Sequence, residues 1–298
     1  MKFHLIRTYK IWFGLSLAVI LVGLVFFLTQ GFNYGIDFTG GTMIQIDLHQ
    51  RVERPVLVQD LASLNLNPEI VHAGLNNEQI VIKTTQKLDT TSRVEVFRIL
   101  KDKYGLRDSD LIGSEQFSAS VSSEIKWNAF WSILIASILM LAYITVRFEA
   151  VFGFAAIASL IHDILFLLAI YAIFRFPVNS TFIAAILTVV GYSINDTIVV
   201  FDRIREDIKG ERIKDYADTA DRSVRRTFSR TINTTVTTLL VIGSLLVFGV
   251  SSIKEFALPL FIGIGVGTYS SIFIASASWA LIRDRIAKKG KYGATAKN

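Results

Sequence analysis

Two carboxylates stand where carboxylates are costly. Asp196 lies beside Asn195 in VVGYSINDTIVVFDRIRE (189–206), and Asp163 lies beside His162 in SLIHDILF, each pair inside an otherwise apolar run. An ionised Asp at the centre of a membrane helix costs about 2.5 to 3.5 kcal/mol on insertion scales, so such residues mark function more often than packing. The chemistry open to them is proton exchange: desolvation favours the neutral acid and a nearby cation favours the carboxylate. Arg230, in SRTINTTVTTLL, is the candidate cation. Behind it Asn233, Thr234, Thr237 and Thr238 form a hydroxyl-and-amide stripe at three-and-four spacing, a face that can admit water. Two arrangements fit these residues. Asp196 and Arg230 can be a buried structural pair, with the threonines bonding their own helix carbonyls. Alternatively, Asp196 takes up and releases a proton as the helices shift. His162 and Asp163 divide the same way, into an inter-helix hydrogen-bonded pair or a second relay station, since His titrates near neutrality. A charge moving through the membrane potential carries about 2.3 kcal/mol per 100 mV, enough to bias two domain positions more than tenfold.

The elements that must hold these groups are membrane spans. Of 298 residues 52% are hydrophobic and only four are proline. A helix crosses a bilayer with about 20 mostly apolar residues, and six stretches qualify, approximately 11–28, 127–146, 150–174, 179–201, 232–250 and 256–282. Asp163 and Asp196 are the only fully charged residues in them. The fold class is therefore a polytopic α-helical membrane protein. The first apolar run is long for a signal peptide and lacks an A-x-A-like site, so it reads as an uncleaved span that also serves as the export signal. Gly263 and Gly267, four apart in GIGVGTYS of the sixth stretch, read as a helix-packing face rather than a nucleotide loop. No Walker-type loop is present, so the chain carries no motif for ATP hydrolysis or for any cofactor. With no cysteine there is no disulfide framework, thiolate metal site or cysteine nucleophile.

The net charge of +6 is distributed as topology, not as a nucleic-acid surface. Lys2, Arg7 and Lys10 precede the first span, and the tail from Arg283 to 298 is basic. The loop 202–230 holds nine basic and seven acidic residues, whereas 30–125 holds nine basic and thirteen acidic. Cationic flanks stay cytoplasmic, which places both termini and 202–230 inside and 30–125 outside. The chain thus divides into 1–29, an external domain over 30–125, a five-helix bundle over 126–282 and a cytoplasmic tail.

Within 30–125, TMIQIDL (42–48) alternates as a strand with Ile44, Ile46 and Leu48 on one face. Pro55 opens a helix in PVLVQDLASL. EIVHAG and QIVIKTT are short strands joined by LNNE. SRVEVFRILKDKYG is a helix with Ser92 and Glu95 spaced as a capping box and Gly105 at its stop. A last strand near 112–118 completes the order of a small ferredoxin-like α+β sandwich. His49 and His72 are isolated, and no nucleophile-base set or metal-ligand spacing accompanies them. The domain reads as a binding or moving module and not as an enzyme.

Four segments resemble one family. GYSINDTIVVFDRIRE (191–206), YGIDFTGGT (34–42), RTINTTVTTL (230–239) and PLFIGIGVGTYSSIFIA (259–275) look like signatures of SecF, a membrane subunit of the bacterial SecDF protein-export complex of the RND-like superfamily. The resemblance runs in order through nearly the whole chain. It implies a heterodimer with SecD, a twelve-span pseudo-symmetric bundle, and association with the SecYEG channel, YajC and the translocating preprotein. It also implies use of the proton gradient for late translocation and release in the bacterial inner membrane. Carried over by residue, Asp196 would carry the proton and Arg230 would be its basic partner. His162 and Asp163 match a polar pair in the family's third span. Gly35, Asp37, Gly40 and Gly41 match the motif after the first span, where the glycines permit tight turns. The rival classes are half of an RND-type exporter, a structural subunit without proton coupling of its own, and an intramembrane aspartyl protease. The protease would show its carboxylates in Y-D and G-x-G-D contexts, and here they stand in HD and ND.

Overall fold

The structure, a computed structural model, describes residues 5–74, 76–210 and 215–295. Helix α1 (Tyr9–Gln30) ends at Gly31 and leads through β1 (Asn33–Tyr34) and the one-turn α2 (Ile36–Thr39) into a sheet domain. That domain runs β2 (Gly41–Asp47), α3 (Arg54–Asp60), β3 (Glu69–Ala73), β4 (Gln79–Thr84), α4 (Thr90–Tyr104) and β5 (Leu111–Phe117). The four strands lie in the order β3-β4-β2-β5, with every pairing antiparallel. This is the ferredoxin-like arrangement expected from the strand and helix order.

The alternation in β2 does what it promises. Ile44, Ile46 and Leu48 are buried with Ile80 and Ile82 of β4 under Leu57 of α3 and Val96 and Leu100 of α4. Pro55 sits in the first turn of α3, where its missing N–H has no bond to lose. The start of α4 differs from the Ser92–Glu95 capping box. The N-cap is Asp89, whose carboxylate accepts the Ser92 N–H at 2.8 Å, while Glu95 binds Arg98. An Asp three residues earlier offers a charged acceptor to the same N–H, so the helix begins sooner than the serine suggested. Gly105 closes α4 in the left-handed conformation, as expected. The β3–β4 link includes Leu75, which lies outside the described residues.

The bundle follows as α5 (Ala119–Arg147), α6 (Ala150–Phe174), β6 (Pro177–Val178), α7 (Ser180–Gly210) and α8 (Tyr216–Phe248). The sixth span is continuous: α9 (Ser251–Ser270), a π-helical turn (Ser271–Ala275) and α10 (Ser276–Thr295). Six helices are thus long and apolar enough to cross a membrane. The fourth and sixth form the interior: 50% and 61% of their apolar windows are buried, against 11% for the first and for the second.

Two additions were silent in the sequence. β1 and β6 pair in parallel, Asn33 with Pro177 and Tyr34 with Val178, which pins the exit of the first span to the start of the fourth. At the opposite end of the bundle most of 202–230 is helical, and residues 211–214 lie outside the described residues. There Asp207 draws α7 and α8 together, accepting from Ser223 at 2.7 Å and Arg226 at 2.6 Å. Arg7 meets Asp215 and Asp218 at the same end.

Candidate functional site

Asp196 sits in the middle of α7 with 2% of its surface exposed. Its Oδ2 accepts from the Thr268 hydroxyl of α9 at 3.0 Å and from the Thr235 hydroxyl of α8 at 3.4 Å, and the two hydroxyls are 2.7 Å apart. Each threonine also reaches a carbonyl of its own helix, Thr268 to Ile264 and Thr235 to Thr231. A hydroxyl has one proton to give. Both protons can turn to Asp196 when it is charged and turn back to their helices when it is neutral. The site can therefore answer a change of charge by rotating two C–O bonds.

Arg230 is not at this site. It stands on the exposed side of α8, and among the described residues no Lys or Arg comes within ion-pair distance of Asp196. The stripe beyond Arg230 faces the same way: Asn233, Thr234 and Thr237 are exposed, as is Asn195 on α7. Tyr192 joins the two helices at this face, donating to the Thr234 carbonyl at 3.2 Å and meeting the Thr238 hydroxyl at 2.9 Å. Thr234 and Thr237 also bond carbonyls of their own helix. Asn195 and Asp196, neighbours in sequence, thus diverge, Asn195 to the exposed face of α7 and Asp196 into the bundle.

His162 and Asp163 do form a pair, Nδ1 to Oδ1 at 3.0 Å, buried in α6. The second oxygen of Asp163 accepts from Ser193 of α7 at 2.6 Å. His162 Nε2 is buried without a hydrogen-bond partner among the described residues. Ser193 is one turn before Asp196, and its carbonyl accepts from Ser271, which meets Thr197 at 2.8 Å. Ser159 reaches Ser270 at 2.9 Å. The two carboxylates thus belong to neighbouring hydroxyl clusters one turn apart along α7, and both clusters draw on the end of α9 and the π-helical turn. π-Turns recur at functional sites because the extra residue breaks the regular carbonyl ladder.

Sequence reasoning singled out the carboxylates and missed their partners Thr235, Thr268, Ser193 and Ser270, and the neighbouring Ser271. The signal was present in GTYSS, where four consecutive hydroxyl residues follow Gly267 inside an apolar span.

The motif after the first span acts on the same helix from its far end. Asp37 accepts the Ser180 N–H at 2.8 Å at the start of α7, a charge placed well against a helix N-terminus. Gly35 donates to the Val178 carbonyl at 2.8 Å. Gly40 and Gly41 have φ of +77° and +146°, and a Cβ on Gly41 would fall 2.1 Å from the Thr84 carbonyl oxygen. No side chain fits there, so the chain turns directly from α2 into β2.

Residues 99–285 match the family described as protein export membrane protein SecD/SecF, C-terminal, and residues 25–50 match the SecD/SecF GG motif. The chain belongs to the SecD/SecF protein-export family. It is 38% identical to the protein translocase subunit SecF of Sebaldella termitidis over 95% of this chain and 92% of that one. It is also 38% identical to SecDF of Bacillus subtilis, over 94% of this chain and 38% of that one. Among solved structures, the crystal structure of the translocon-associated membrane protein SecDF from Thermus thermophilus superposes with a TM-score of 0.80 at 34% identity, covering 94% of this chain and 38% of that chain. This SecD/SecF-family chain is thus a multi-pass membrane protein that corresponds to one portion of the longer SecDF proteins. The family relatives are named as translocase subunits, and the chain shares their general role in protein export.

Proposed function

We propose that the chain is the SecF-type subunit of a Sec translocase accessory complex. Paired with a SecD-type partner in the bacterial plasma membrane, it uses the proton motive force to promote translocation and release of preproteins through the SecYEG channel, with YajC as a further associate. Asp196 carries the proton. The observation behind this reading is a carboxylate buried at lipid depth and held by two rotatable hydroxyls, with no cation to fix its charge among the described residues. A structural ion pair would need its cation in place, because a buried charge left unpaired is expensive. Here the neutral and charged states can both be accommodated.

The partner follows from the exposed polar face. Arg230, Asn233, Thr234 and Thr237 on α8 and Asn195 on α7 cannot face hydrocarbon without large cost, so the SecD-type bundle covers them and completes a water-accessible path past Arg230 to Asp196. His162 and Asp163 serve as a second relay, reached through Ser193 one turn before Asp196 on α7. The sheet domain is external, and the end carrying Arg7, the Asp207–Arg226 contact and α10 is cytoplasmic, in keeping with its basic residues.

Preprotein translocation in inverted membrane vesicles, with and without a proton gradient, tests this for wild type and Asp196→Asn at matched expression. The variant is expected to lose the gradient-dependent part and keep the ATP-driven part. Full gradient stimulation in the variant would leave the chain a structural subunit, with coupling in its partner.

A further inference from the structure

Helix α9 touches both the sheet domain and the proton site. In its second turn Glu255 accepts from Asn179 at 3.1 Å and from Lys83 of β4 at 3.5 Å, both on Oε2. The Lys83 and Glu255 side chains are 17% and 20% exposed, so the contact is largely sheltered. Among the described residues it is the only hydrogen bond or ion pair between the sheet domain, residues 41–117, and the membrane helices. Thirteen residues on, Thr268 of the same helix binds Asp196. At 1.5 Å per residue the two contacts are about 20 Å apart along one rod.

Two defects bound the part of the rod that carries Thr268. Pro259 has no N–H to give the Glu255 carbonyl four residues before it, which loosens the helix just past the sheet contact. The π-helical turn interrupts the ladder just past Thr268. Between these two defects Gly263 and Gly267 lie flush on Val189 and Ser193 of α7, where an added Cβ would come within 2.4 Å and 2.9 Å of those side chains. Small residues at this spacing let α9 and α7 approach closely.

We propose that α9 is the mechanical link between proton exchange and the sheet domain. A change of charge at Asp196 re-aims Thr268 and shifts α9, and Glu255 passes that shift to the sheet through Lys83. Glu255 is then a positioning residue that acts on export without touching the proton. The inference rests on the reading of Asp196 as the proton carrier.

The test uses the full chain with its partners in inverted vesicles. Glu255→Gln and Lys83→Gln should each lower the gradient-dependent stimulation of translocation at least threefold while the ATP-driven rate stays unchanged; a merely destabilised protein would lose both. The chain has no cysteine of its own, so Lys83→Cys with Glu255→Cys can be bridged by a short bifunctional methanethiosulfonate. The unbridged double variant should be impaired, and the bridged one should return to within twofold of wild type. Wild-type stimulation in the single variants, or a verified bridge that leaves stimulation low, would overturn the link. Asp196→Asn run alongside separates the two readings. If it keeps stimulation, the proton reading falls and takes the link with it; if it loses stimulation while the seam variants do not, only the link falls.

Discussion

In the sheet domain the side chains with no exposure are apolar but for Thr42, among them Ile46, Leu57, Leu61, Ile80, Val96 and Leu100. In the bundle Ser223, Ser270, Ser271 and Ser276 are equally hidden, while Val146 and Phe248 stand 86% and 87% exposed. The two regions answer to different solvents. Water drives apolar surface inward, so the sheet domain is held by what it buries. Lipid is as apolar as leucine and drives nothing inward, so the bundle is held by close backbone approach and interhelical hydrogen bonds. A buried hydroxyl or carboxylate in the bundle is a joint between spans.

The comparison is broken most directly by truncating one apolar side chain in each region. Leu57→Ala, at a fully buried position under the sheet, should cost about 2–5 kcal/mol. That is a large share of the roughly 5–15 kcal/mol that holds a domain together. Val236→Ala, on the 47% exposed side of α8, should change stability by less than about 0.5 kcal/mol. Protease protection of the detergent-solubilised chain reads both. Equal losses would mean that the bundle too is held by apolar burial.

Adding one methyl sharpens the bundle half of the comparison. Gly263→Ala puts its Cβ 2.4 Å from a methyl of Val189, a buried side chain with little χ1 freedom. The overpacking should cost about 1–3 kcal/mol. Gly265→Ala, two residues away with nothing within 4 Å, should leave the melting temperature where it was. If the two variants melt alike, the α7–α9 contact is looser than its glycines indicate.

The same contrast explains what could be read from the sequence. The sheet domain was legible because water writes a period: the alternation of Ile44, Ile46 and Leu48 and the helix stop at Gly105 both follow from local chemistry. The six spans were legible from length and hydropathy. Asp163 and Asp196 stood out because lipid makes them costly. Their partners did not, because Thr235 and Thr268 differ little from any other membrane threonine until the helices are packed. The facing of Arg230 was also hidden, since three-and-four spacing shows that residues share a face and not which neighbour that face meets. The two-residue pairing of β1 with β6 leaves no pattern at all.

Two carboxylates of the sheet domain carry the comparison into pH. Asp89 accepts the backbone N–H of Ser92 and is held below the usual aspartate value chiefly by that bond. The folded state prefers it charged, so its contribution is present above the ordinary value and is lost as pH falls through the lowered one. Glu69 is displaced the other way. Burial, the largest cause, pushes it above the ordinary glutamate value of 4.5; Glu255 and Asp37 add to the rise, and Lys83 and Arg54 oppose it. The folded state prefers this group protonated, so its contribution is complete below pH 4.5 and fades as pH rises through the raised value. Unfolding of the detergent-solubilised chain across the acid range should therefore respond with opposite slopes. Asp89→Asn, which keeps a good cap, should remove the loss at the acid end. Glu69→Gln should remove the decline above pH 4.5. Glu69 pairs across the strands with Lys83, the residue that reaches Glu255 of α9. A slope unaffected by Glu69→Gln would show that this carboxylate, at the exposed first position of β3, is solvated much as in the unfolded chain.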